Sequence, residues 1–123
     1  MVTITPANDR REYVPGDEIR GEVAWQLHER PETLNVHLAF VTAGRGSTDG
    51  AIVATHTIAD PGISGDEAFS FRAPVGPYSF SGTLISLTWA IEAEAQGADA
   101  TAREEIIIAP AGEPLQLHPV DDA

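Results

Sequence analysis

The sequence is 123 residues long, enough for one domain with a core of its own. It has no cysteine, which excludes a disulfide framework and a thiolate metal site. Its 19 acidic residues against 7 basic ones, a net charge of −12, make nucleic acid and anionic membranes poor partners through charge repulsion.

The first stretch, Val2 to Thr5, is expected to be a short strand stopped by Pro6. Asn8 to Glu12 follow as a charged connector, and Tyr13 to Asp17 as a turn with Pro15 and Gly16 at its centre. From Glu18 to Leu27 the alternation is strict. Ile19, Gly21, Val23, Trp25 and Leu27 share one face, and Glu18, Arg20, Glu22 and Gln26 the other. A second such strand is expected over Thr33 to Ala43, with Leu34, Val36, Leu38 and Phe40 inward. Gly44 to Gly50 reads as a hairpin loop ending in Asp-Gly.

Further strands are expected over Ala51 to Ile58, around Phe69 to Phe71, over Ile85 to Ala95 and over Thr101 to Ala109. The turns between them are Asp60-Pro61-Gly62, the corner from Pro74 to Gly82, and Gln96 to Asp99. No stretch of ten or more residues carries a helical period with caps. The reading is all-β: an immunoglobulin-like antiparallel β-sandwich of seven to eight strands. Residues 1–110 form the sandwich. Residues 111–123 form an acidic, Pro-containing tail, with at most a short edge strand over Leu115 to His118.

Two motifs lie at the expected places. One is Tyr13-Val14-Pro15-Gly16-Asp17-Glu18-Ile19-Arg20-Gly21-Glu22-Val23. The other runs Phe69-Ser70-Phe71, Pro74, Pro77-Tyr78-Ser79-Phe80-Ser81-Gly82, then Ile85 through Trp89 and Ile91 to Ala93. In order and spacing they resemble the N-terminal lobe of the arrestin-like superfamily across residues 2–109. The resemblance implies a scaffold or adaptor. The family holds receptor-binding arrestins, ubiquitin-ligase adaptors, a retromer cargo-binding subunit and sporulation-control-like proteins of bacteria and archaea. Most members carry two lobes, and this chain has length for one. The phosphate-sensing lysine pair of receptor arrestins has no counterpart, because all seven basic residues are arginine. Pro77-Tyr78 does not make the Pro-Pro-x-Tyr ligand of the ubiquitin-ligase adaptors.

His28, His37, His56 and His118 are scattered, with His37 and His56 placed to be cross-strand neighbours. They read as surface histidines rather than zinc ligands. Gly44 to Gly50 lacks a P-loop lysine and the helix that a phosphate loop needs. Ser79 reads as a turn residue, without a nucleophile elbow. Asp9, Asp17, Glu18, Asp60, Asp66, Glu67 and Asp99 sit near turns, where a sandwich can gather calcium ligands, but no calcium loop is spelled out. Glu92, Glu94, Glu104 and Glu105 read as wet faces, with Arg72 and Arg103 as partners. The outward Ala39 and Val41, and open edges at residues 2–5 or 106–117, are the surfaces expected to meet a partner.

No catalytic residue, metal ligand or cofactor is assigned. The expected function is a non-enzymatic protein-interaction scaffold, self-associating through sheet edges or bound to a protein partner. The alternative is a small-ligand or carbohydrate-binding sandwich, calcium-assisted. The N-terminal stretch has no positive flank before an apolar run, so no signal peptide and no membrane span are expected, and the location is read as cytoplasmic. The acidity, lysine-free and rich in Ala and Gly, is similar to that of proteins from salt-loving archaea or high-GC bacteria and is read as host adaptation.

Overall fold

The computed structural model describes residues 1–44, 47–81, 85–110 and 115–116. Among them are ten strands: β1 (Val2–Pro6), β2 (Glu12–Tyr13), β3 (Glu18–Gln26), β4 (Thr33–Gly44), β5 (Ser47–Ala59), β6 (Ser64–Arg72), β7 (Phe80–Ser81), β8 (Ile85–Gln96), β9 (Ala100–Ile108) and β10 (Leu115–Gln116). Three of these have two residues only, which leaves seven of five residues or more, as the turn spacing led us to expect.

The strands form two layers. One is a three-stranded antiparallel sheet in the order β1-β3-β6. The other is built on β8, which pairs with β4 along one side; β5 lies beyond β4. On its other side β8 pairs first with β7, at Ser86 and Leu87, then with β9 from Trp89 to Ala95. Two short parallel pairings complete the layer, β2 on β9 and β10 on β7.

The inner faces follow the alternation in the sequence. Ile19, Val23 and Trp25 of β3 lie buried opposite Leu34, Val36, Leu38, Trp89 and Ile91 of the other layer. Trp89 is completely buried; its indole N–H donates to the Pro77 carbonyl at 2.7 Å, and its ring packs 5.1 Å from that of Phe40, its cross-strand partner. The Pro-rich corner is thereby tied to the core by the side chain beneath it. Gly21 is the one position of β3 where a side chain has no room. A Cβ there would lie 2.7 Å from the Phe69 ring and 2.8 Å from the Thr5 carbonyl oxygen.

The Tyr13 to Asp17 motif forms a tight turn. The Asp17 N–H donates to the Val14 carbonyl at 3.1 Å, and Gly16 takes φ +91°, where a Cβ would be strained. The turn docks on the end of β6 through Gly16 N–H to Ala73 O and Ala73 N–H to Asp17 O, at 2.9 and 2.8 Å.

Four expectations are corrected. The stretch Gly44 to Gly50 is not an open loop: pairing runs on to Gly44 opposite Ser47, so Asp49 and Gly50 lie within β5. The strand expected at Phe69 starts at Ser64, because Ser64 to Ala68 pair with Glu22 to Gln26 although most of their side chains are exposed. The charged connector contains a 3-10 turn, Ala7–Asp9, with Asn8 and Asp9 at positive φ, and its end is β2. Residues 107 and 108 are not an open edge, since Glu12 and Tyr13 pair with them.

Candidate functional site

Among the described residues the most exposed large apolar side chains inside any strand lie together on β5, the longest strand, with thirteen residues. Among the described residues β5 is paired with β4 on one side only, and the other side is an open edge. Its register on β4 shifts once. Leu38 opposes Ala54 and Ala39 opposes Ile52, so Val53 is an extra residue, a β-bulge. Ile52 is 60% exposed and Val53 47%. No lysine, arginine or proline interrupts the thirteen residues, and the bulge is the one edge-protecting device they carry.

β6 is the free edge of the smaller sheet on the same flank. One side-chain contact spans the flank. His56 of β5 and Glu67 of β6 both point inward, opposite Val36 and Val23, and His56 Nε2 meets Glu67 Oε2 at 2.5 Å. Val36 and Val23, their neighbours further in, are completely buried. The pair therefore caps the core where the sandwich opens. On the opposite flank Glu104 does the same work. It lies on the inner face opposite Ile91 and accepts from Arg11 at 3.3 Å, while Arg11 also bonds Asp9. Glu104 was expected on a wet face with Glu105; it lies on the inner face instead.

Arg10, Tyr13 and Asp17 lock the turn motif. The Arg10 guanidinium stands 4.5 Å over the Tyr13 ring and reaches Asp17 Oδ2 at 2.5 Å. The Tyr13 hydroxyl donates to the Arg10 carbonyl at 2.8 Å, and burial pushes its pKa up. The Val14 N–H, donating at 3.0 Å, and the Arg10 guanidinium hold the Asp17 carboxyl below the usual range.

A groove of 530 Å³ opens where β7 and β9 part along β8, with Phe80, Leu87, Ile106 and Ile107 as its apolar lining. Ser79, at its back, is buried. Its Oγ accepts the Ile108 N–H at 3.0 Å and its N–H donates to the Ile108 carbonyl at 2.7 Å. That serine continues the ladder of β9 and, among the described residues, meets no histidine.

The other residues singled out in the sequence fall apart in space. His37 and His56 belong to paired strands but face opposite sides of the sheet. His37 meets Thr55 Oγ1 at 3.0 Å and Glu94 at 4.0 Å. His28 is exposed in the β3–β4 connection, and His118 lies outside the described residues. The acidic turns are shared out among arginines, Asp9 with Arg11, Asp17 with Arg10 and Asp60 with Arg30. Among the described residues no three His, Asp or Glu side chains gather as a metal group. Arg103 joins Glu92 and Glu105, as expected, whereas Arg72 bonds the Gly16 carbonyl instead. Ala39 is buried beside Ala90 on the outer face and offers no patch.

Sequence reasoning missed β5 as the open edge. Ile52 and Val53 are adjacent, so strict alternation would send one of them inward, and only the bulge lets both stay exposed. That adjacency of two large apolar residues was the available signal.

No protein-family model matches the chain, and no curated protein sequence does. Among solved structures it is similar to the crystal structure of Spo0M, a sporulation control protein from Bacillus subtilis, with a TM-score of 0.62 at 16% identity over 87% of this chain. The match covers 48% of that chain, so the present sequence spans about half its length. At that identity the likeness is one of fold. The fold is the arrestin-like β-sandwich that the two motifs led us to expect. Among the described residues no helix is long and apolar enough to cross a membrane.

Proposed function

We propose that the protein is a non-enzymatic interaction module, a single arrestin-like lobe that accepts a strand of another polypeptide on the open edge of β5. One observation supports this above the rest. Among the described residues the longest strand is unpaired along one side, and beside its bulge it exposes Ile52 and Val53. An added strand would satisfy the free backbone groups and cover both side chains. The cysteine-free composition fits a cytoplasmic setting.

The test is cross-linking and mass spectrometry of the full chain in extract of its host, with the parent protein and an Ile52→Arg variant compared. Ile52 lies outside the core, so the variant is expected to fold. Cross-links from β5 that vanish in the variant are the expected result. An identical set of cross-links in both proteins contradicts the reading.

A further inference from the structure

From Asp49 to His56 the inward and outward faces of β5 are disposed symmetrically about its bulge, and the geometry points to a second copy of this chain as its partner. This rests on the edge-docking reading above and names the occupant. In an unbroken strand positions 49 and 56 would face opposite ways, because faces alternate residue by residue. The bulge at Val53 adds one residue between them. Asp49 and His56 therefore both point inward, opposite Thr42 and Val36 of β4. Ala51 and Ala54 also both point inward, opposite Phe40 and Leu38, while Gly50 and Thr55 both point outward, opposite Val41 and His37.

Consider two copies of β5 paired antiparallel about a two-fold axis between Ile52 and Val53. Ile52 then meets Val53 of the second copy, Ala51 meets Ala54, Gly50 meets Thr55 and Asp49 meets His56. Side chains interact across a sheet only when they share a face. Every pair outside the bulge meets that condition here. A register shifted by one sets inward residues against outward ones across the bulge. A register shifted by two keeps the faces but sets Asp49 against Ala54 or Ile58.

Charge decides for a second copy over a basic peptide. β5 holds one carboxylate, Asp49, and no arginine or lysine in thirteen residues, within a chain of 19 acidic residues. A basic strand would find little to pair with there, whereas charge depletion is what the centre of a protein interface shows. The one acid of the strand meets its one histidine. His56 gives Nε2 to Glu67, and its Nδ1 has no hydrogen-bond partner among the described residues. Asp49 uses Oδ1 to accept the Gly50 N–H at 2.8 Å, which leaves Oδ2 to accept from Nδ1–H of His56 of the second copy when that ring, donating through Nε2 to Glu67, is the imidazolium. The net charge of −12 on each copy opposes association at long range, so the dimer is expected to tighten as salt rises.

The chain has no cysteine, so single cysteines report this register cleanly. Ala51→Cys and Ala54→Cys proteins are mixed under mild oxidation. The expected result is a disulfide joining one of each, formed about 100-fold faster than either homodisulfide because the paired strands hold the two thiols together. Sedimentation equilibrium of the unmodified full chain is expected to give twice the monomer mass. Val53→Arg, and separately Ile52→Arg, are expected to restore the monomer mass, with a thermal melt matching that of the parent protein diluted to monomer. A monomer at every protein and salt concentration overturns the inference, as does a dimer that forms only homodisulfides or survives both arginine variants. If the chain is monomeric yet still shows Ile52-dependent cross-links to a foreign protein, the second copy is wrong and the edge-docking reading stands.

Discussion

Trp89 and Asp17 show how single residues hold the lobe together. Trp89 fills the space between the layers and donates its indole N–H to the Pro77 carbonyl, so truncation empties the core and frees the Pro-rich corner from it together. Trp89→Ala is expected to lower stability by about 3–5 kcal/mol, read as the free energy of urea unfolding. A loss below about 1 kcal/mol would show that the indole is not the core's main plug. Asp17 acts through charge. Its folded pKa is depressed below the unfolded value, first by the Val14 N–H and then by Arg10. Its contribution is present at pH above the unfolded carboxylate value, about 3.9, and is lost as pH falls through the lower folded value. Asp17→Asn is therefore expected to be less stable than the parent protein at pH 7, with the difference closing in acid. A constant difference across that window would assign the residue a purely steric part.

At the scale of strands, legibility followed burial on two faces. β3 was plain in the sequence because Ile19, Val23 and Trp25 are all buried and Glu18, Arg20 and Glu22 are not. The turn before it was plain because Pro15 and Gly16 have few other uses. The first half of β6 was not, since Ser64 to Ala68 are exposed and inward Glu67 is compensated by His56, a residue of the other sheet. Pairing across the sandwich is invisible to any local pattern. The open edge at β5 was hidden by the same bulge that shapes it, because Val53 breaks the period that strand reading depends on. The His56–Glu67 contact is expected to matter locally rather than globally. Glu67→Gln should change the melting free energy by less than about 1 kcal/mol, as for other half-exposed ion pairs. It should also speed amide exchange in β5 and β6 while β3 and β8 keep their protection. Equal acceleration in all four strands would mean that the pair supports the whole core.

The described residues form a sandwich with unequal flanks. On one flank β2 covers the end of β9, and Arg11 ties Asp9 to Glu104. On the other, among the described residues, β5 and β6 end their sheets unpaired, and His56 and Glu67 clasp the two together. Hydrogen exchange of the full chain, at high dilution and again in extract of its host, tests the account at its centre. We predict slowed exchange in the extract within residues 47–59, with the core strands unchanged. Exchange in β5 that is as fast in the extract as at dilution, with protection gained elsewhere or nowhere, would contradict it.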